Sequence, residues 1–190
     1  MTQNHGSIAL IGPGGIGKTT MALEFLHSSY NKGWFGDNHR FIRCDGFPAS
    51  HAHFLAHLSK AISAGIENPE DMAPLRPFLS SAKMLIVLDN ADSILDPQGA
   101  NHEEIFAAVD ELCRFRTVCV CITSRTTAIP QCCQLLQIPK LQMEAACDTF
   151  YDIYRGGGTP LFICSFIHML DYHALSIMLL ASTICSNAWD

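Results

Sequence analysis

The chain has 190 residues, 48% of them hydrophobic and 16% charged, with a net charge of −6. A chain of that length buries roughly two-thirds of its unfolded surface and folds as one or two domains without a metal or disulfide staple, and its apolar composition excludes intrinsic disorder. Twelve basic against eighteen acidic side chains exclude a generic nucleic-acid-binding surface, which rests on cationic contacts to phosphates.

Nine cysteines raise the question of a secreted disulfide scaffold. The start, Met1 to Gly12, lacks a basic segment followed by an apolar run and a small-residue cleavage site. Cys113, Cys119, Cys121, Cys132 and Cys133 fall in or beside apolar runs, where a free thiol behaves as a small hydrophobe. No C-x2-C pair is present, so the spacing gives no zinc knuckle. Reduced thiols and a cytoplasmic location are expected.

Taken in chain order, Ser7–Gly12 is a short apolar run ending in glycines and reads as a buried strand. A helix follows from Lys18 to His27, with Met21, Ala22, Phe25 and Leu26 at helical spacing. His39–Cys44 reads as a second strand, and residues 50–66 as a helix whose stripe is Phe54, Leu58 and Ile62. Met84–Asp89 is a continuous apolar strand of the kind that parallel sheets bury on both faces. Asn101 and Glu104 have the spacing of a capping box ahead of a helix carrying Ile105, Val109 and Leu112. Thr117–Thr123 is the next strand, Gln134–Ile138 a fifth, and residues 142–155 a further helix. Strands separated by helices imply an α/β fold with a parallel sheet covered on both faces. The apolar tail, Leu161 to Trp189, is divided at Asp171, between His168 and His173, into two runs. Each is too short for a span of about 20 residues, so two buried helices and no membrane contact are expected.

The sharpest motif is Gly12-Pro13-Gly14-Gly15-Ile16-Gly17-Lys18-Thr19, followed by Thr20, a complete G-x4-G-K-[ST] phosphate loop set between a strand and a helix. Its glycines let successive N–H groups turn toward a phosphate. Lys18 adds a charge for the β- and γ-phosphates, Thr19 a hydroxyl for Mg²⁺, and the following helix its positive end. The same stretch contains G-x-G-x-x-G, but a dinucleotide site has no use for Lys18 and Thr19 and expects an acidic residue about 20 positions on, whereas Asp45 comes late. The second element is Asp89, closing an apolar strand, where phosphate-loop proteins place a carboxylate near Mg²⁺, usually through water. Asn90 follows where many hydrolases have a second acid; Asp92 is the next carboxylate able to orient a water, or else it caps the turn. The third is Arg125, at the C-terminal edge of a strand, where parallel sheets bind ligands. It either contacts a γ-phosphate or pairs with a loop carboxylate. His51, His53 and His57 lack the H-E-x-x-H pattern of a metal site and read as a polar helix face.

Together these elements resemble the STAND class of signalling NTPases, which includes NB-ARC and NACHT proteins, and within it a fungal NB-ARC-like group. The resemblance is carried by Gly12–Thr19, Trp34–Asp37, Arg40–Asp45, Leu85–Asp92, Ile94–Gly99, Cys121–Arg125 and Leu170–Ser176. It implies a phosphate-loop three-layer fold with strand order 5-1-4-3-2 over residues 1–140, and the start of a small helical domain over 141–190. It implies a switch module that holds ADP, exchanges it for ATP with Mg²⁺, and hydrolyses slowly if at all; the alternative is a turnover ATPase or phosphate-loop kinase. Asp89 matches the family's Mg²⁺-site aspartate and Arg125 its sensor arginine, while Ala174 stands where the family usually has a proline near the adenine. The Gly156–Pro160 stretch fits no pattern of the family. Partners are expected through effector and sensor domains outside these 190 residues, and the apolar tail suggests self-association.

Overall fold

The computed structural model of the chain describes residues 6–99, 101–154 and 160–186, and the chain divides into two compact units. Met1–Ile11 with Lys18–Gln137 form the first, and Gly12–Gly17 with Ile138–Asp190 the second.

The first unit is built on a sheet of five parallel strands: β1 (Ile8–Ile11), β2 (His39–Arg43), β3 (Met84–Asp89), β4 (Val118–Ser124) and β5 (Gln134–Gln137). Their order is β2-β3-β4-β1-β5, which from the other edge is the expected 5-1-4-3-2. Every residue of β3 and β4 is buried, as their unbroken apolar runs require of central parallel strands. All of β5 is exposed, as befits an edge. Pairing aligns Arg43 with Asp89, Leu88 with Ile122 and Ile11 with Ser124, so the C-terminal ends of four strands reach one edge of the sheet.

Helices α1 (Lys18–His27), α2 (Ser29–Phe35), α3 (His51–Ala61), α4 (Arg76–Ser81) and α5 (His102–Arg114) complete this unit. The alternation of strand side chains sends Ala9, Ile11, Ile42, Ile86, Leu88, Val120 and Ile122 into one core with Phe54, Leu58, Leu79, Val109 and Leu112. Leu85, Val87, Cys119 and Cys121 point to the opposite face and are buried too. Helix α1 packs on β3 and β4 through Ala22 and Leu26.

Local expectations change. The sequence pattern gave no helix between α1 and β2 or between α3 and β3, yet α2 and α4 form there. The Ser28 side chain accepts from the Asn31 N–H at 3.3 Å, and Gly36, at φ 57°, ends the helix with its N–H on the Lys32 carbonyl. Conversely, the capping box at Asn101 and Glu104 does not form. Asn101 precedes α5 but makes no side-chain cap; its Nδ2 donates to the Ala49 carbonyl at 3.3 Å and ties two loops together.

The second unit contains α6 (Met143–Ile153), α7 (Pro160–Met169) and α8 (Ala174–Ser186). Its core is Ala146, Phe150, Ile163, Ile167, Ile177 and Ala181. The expectation of two buried helices is corrected here. Among the described side chains, helices α7 and α8 each bury a single i, i+4 pair, while Phe162 is 71% and Met169 77% exposed. Each packs chiefly on α6, and one helical partner covers one stripe, however apolar the rest of the surface is. Among the described residues no helix is long and apolar enough to cross a membrane. The turn from α7 to α8 uses Asp171 at φ 53° and Tyr172 at φ 57°, and Asp171 is ion-paired with Lys140. Residues 155–159, which include most of the Gly156–Pro160 stretch, lie outside the described residues.

Candidate functional site

The phosphate-loop residues Gly12–Gly17 run from the end of β1 to the start of α1. Gly15 and Gly17 have φ of 75° and 104°, the left-handed region that side chains resist. Pro13, Gly14 and Gly15 are exposed, whereas Gly12 and Ile16 are buried against one another; a Cβ on Gly12 would lie 3.1 Å from Ile16 Cγ2.

Within the same unit the start of α8 is fastened to this bend. The Leu175 N–H donates to the Gly15 carbonyl at 3.1 Å. His173 Nε2 lies 2.9 Å from the Gly14 carbonyl, and His173 Nδ1 accepts from the Ser176 N–H at 3.4 Å. The imidazole therefore carries its proton on Nε2 and bridges the helix start to the loop. Ala174, half-buried, sits between these two contacts. Sequence reasoning named His173 only as a flank of Asp171. The signal it missed was a His at the residue before a helix with Ser three positions on, the spacing of a side-chain cap.

In the first unit, Lys18 and Thr19 open α1, and Thr20 is exposed on the same turn. Thr19 Oγ1 donates to Asp89 Oδ1 at 2.7 Å, and Thr123 Oγ1 donates to the same oxygen at 2.8 Å. Asp89 is only 2% exposed, and the Asn90 N–H donates to Thr123 Oγ1 at 2.9 Å, completing a buried chain of hydrogen bonds. The sequence quoted Thr123 as part of a strand and of the Cys121–Arg125 segment, with no role of its own. It is a fully buried polar residue in β4, and a hydroxyl there needs a partner; the carboxylate ending the next strand supplies it. Because the Thr19 hydroxyl spends its proton on Asp89, its lone pairs remain for a cation. A hydroxyl and a carboxylate oxygen side by side are hard-cation donors, so these residues fit Mg²⁺.

Burial lowers the Lys18 ammonium below the ordinary lysine value; the Asp92 carboxylate opposes this most, Arg125 adds to it, and Asp89 opposes it. Asp92 and Arg125 come together. Arg125 Nε and Nη2 each lie 2.6 Å from Asp92 Oδ2, and the Arg125 backbone N–H donates to Asp92 Oδ1 at 3.2 Å. Of the two readings open for Arg125, the geometry of this structure is that of a pair with a loop carboxylate. Asn90 adopts a left-handed conformation, φ 55° and ψ 44°, and its amide donates to Asp45, which also accepts from Arg43. Asp45 thus closes a surface cluster. The histidines of α3 are engaged locally: His53 Nδ1 is 2.6 Å from Ser50 Oγ, and His57 stacks on Phe47 with ring centroids 4.2 Å apart.

The sequence family described as the AAA domain matches residues 1–129. The chain belongs to the AAA family. No curated protein matches the sequence. Among solved structures, this AAA domain is similar to a Walker-type ATPase of Pyrococcus abyssi, at a TM-score of 0.64 and 10% identity over 95% of this chain and 63% of that one. It is similar to a chain of the Drosophila ORC bound to DNA at a TM-score of 0.62 and 15% identity, over 95% of this chain and 55% of that one. A STAND protein with a tetratricopeptide repeat sensor from Pyrococcus horikoshii gives a TM-score of 0.59 and 14% identity, over 90% of this chain and 27% of that one. The chain therefore spans less than two-thirds of these neighbours, and at such identities the likeness is one of fold: a phosphate-loop ATPase fold. The NB-ARC or NACHT grouping expected from the motifs is finer than these likenesses reach.

Proposed function

We propose that this AAA domain is the nucleotide-binding switch module of a STAND-like signalling NTPase, binding ADP or ATP with Mg²⁺ and hydrolysing slowly if at all. On this reading residues 1–140 form the nucleotide-binding domain and residues 141–190 begin a small helical domain. The backbone N–H groups that the loop carries beyond Pro13 and the Lys18 ammonium hold the phosphates. Thr19 and Asp89 hold Mg²⁺, the latter through water, and the ion when bound neutralises charge on the phosphate oxygens.

The observation that carries the switch reading is the Asp92–Arg125 pair. A rapid hydrolase needs a carboxylate or amide at hand to orient the attacking water. Beyond Asp89, Asn90 is committed to Asp45 and Asp92 to Arg125, so neither side chain is poised to orient that water. Arg125 has two competing partners, Asp92 and a γ-phosphate, and only ATP supplies the second. Exchange of one for the other is the kind of two-state contact that a nucleotide can bias. Steady-state phosphate release, measured beside nucleotide retention through purification, tests the reading. Retained ADP with turnover far below the median enzyme value of about 10 s⁻¹ supports it; rapid, multiple turnover would instead favour an ATPase or phosphate-loop kinase.

A further inference from the structure

Away from the phosphate-binding residues, three cysteines distant in sequence converge. Cys113 lies near the end of α5, and Cys132 and Cys133 in the loop between β4 and β5. Their Sγ atoms all lie within 4.8 Å of one another, with Cys113 and Cys133 3.6 Å apart. Among the described residues this is the one such group of potential ligands. A fourth donor adjoins it: Asp110 Oδ1 is 3.7 Å from Cys132 Sγ. Asp110 precedes Cys113 by three positions, which puts both on one helical face. We propose that Cys113, Cys132, Cys133 and Asp110 form a structural Zn²⁺ site.

The distances suit that ion. A tetrahedral centre with Zn–S bonds of about 2.3 Å and a Zn–O bond of about 2.1 Å has S···S edges of about 3.8 Å and S···O edges of about 3.6 Å. The Cys113–Cys133 and Cys132–Asp110 separations of 3.6 and 3.7 Å are two of those edges, and the two remaining sulfur–sulfur edges, each within 4.8 Å, need a contraction of at most about 1 Å. Three thiolates select a thiophilic ion over Mg²⁺ or Ca²⁺.

The surroundings also suit a cation. Arg114 Nε donates to Asp110 Oδ2 at 2.6 Å and Nη2 to Oδ1 at 3.3 Å, the kind of outer support that orients a ligating carboxylate. Three thiolates, a carboxylate and a dication sum to a charge of about −2, which Arg114 partly offsets. The C-terminal end of α5 contributes carbonyl dipoles that favour a positive charge. Binding displaces the three thiol protons to solvent and requires no oxidant. Such a site would clip the last turn of α5 to the loop leading into edge strand β5.

The test uses the whole chain, reduced and freed of metal, titrated with Co²⁺ as the spectroscopic probe and then with Zn²⁺. One equivalent of Co²⁺ should give thiolate-to-metal charge-transfer absorption with strong tetrahedral ligand-field bands, and Zn²⁺ should displace it. Cys132→Ser, at an exposed position, should remove the charge-transfer band at equimolar Co²⁺. Arg114→Ala, which leaves all four donors, should weaken Zn²⁺ affinity about 10- to 100-fold, the range for an outer-shell partner. A reduced wild-type chain that binds no Co²⁺ at one equivalent would overturn the proposal, as would a Cys132→Ser chain that binds it equally well. A Cys113–Cys133 disulfide in the chain as isolated, detected by mass after thiol alkylation, would overturn it too.

Discussion

Replacing Arg125 with alanine probes a pair whose two ends differ sharply in exposure. The Asp92 side chain is 6% exposed and that of Arg125 65%. Without the guanidinium, the Asp92 carboxylate stays buried with the backbone N–H of residue 125 as its remaining bond from that segment. Breaking a fully buried pair costs about 3–5 kcal/mol, and losing one charge-assisted hydrogen bond about 1.5–3 kcal/mol. Since Arg125 is largely in water and its charge is screened, the lower range applies, and about 2 kcal/mol is expected. Removing Asp92 instead frees an arginine that water readily solvates, so Asp92→Ala should cost about half as much, roughly 1 kcal/mol. For a chain of this length each kcal/mol lowers Tm by about 2–4 °C, giving about 4–8 °C for Arg125→Ala. Thermal unfolding followed by circular dichroism, without nucleotide, measures both, and the double variant should be less destabilised than the sum of the singles because the residues touch. An Arg125→Ala chain that melts with the wild type, or earlier loss of stability in Asp92→Ala, would refute the pair as drawn. Calorimetry with nucleotide then asks the functional question: Arg125→Ala should lose more affinity for ATP than for ADP, and an equal loss would leave the arginine a structural role only.

Lys18→Ala should weaken ADP binding by ten- to a hundredfold, the loss of a charge-assisted contact of about 1.5–3 kcal/mol, and equal affinities in calorimetry would count against the phosphate-loop role. Asp89→Ala should remove the Mg²⁺ dependence of ATP binding, so that EDTA no longer changes the measured affinity; an unchanged response would exclude Asp89 from the metal site. Gly15→Ala puts a Cβ 2.7 Å from the Leu175 Cβ at a φ of 75°, and the left-handed penalty of about 1–2 kcal/mol comes on top of that clash. Its thermal midpoint should fall, and Leu175→Ala in the same chain should recover only the share owed to Leu175 Cδ2, 2.8 Å from the new Cβ, because alanine keeps the closer Cβ. Burial pushes Cys119 up to about 11 and Cys121 to about 12, so both stay protonated and unreactive throughout neutral pH. Native alkylation at pH 8 should label exposed Cys185 while sparing these two, as mass mapping of the peptides would reveal.

The sequence by itself determined whatever depends on near neighbours. The phosphate loop was legible because its glycines, Lys18 and Thr19 are consecutive, and local backbone geometry suffices to present them. Strands β3 and β4 were legible because central parallel strands are apolar at every position, and the resemblance to a known class supplied their order. What escaped were contacts across the fold. Asn101 has the spacing of a cap, but its side chain reaches a distant carbonyl, Ala49, and makes no cap. The tail residues are apolar enough for a core, yet among the described residues α7 and α8 pack chiefly on α6, and Phe162 and Met169 face outward. Thr123, 34 residues from Asp89, becomes its hydrogen-bond donor only when β4 lies beside β3. The same holds for Asp92 with Arg125 and for Cys113 with Cys132 and Cys133. Each side chain is chemically ambiguous alone, and the partner that decides its role is delivered by the pairing of strands and the packing of helices, which no stretch of neighbouring residues encodes.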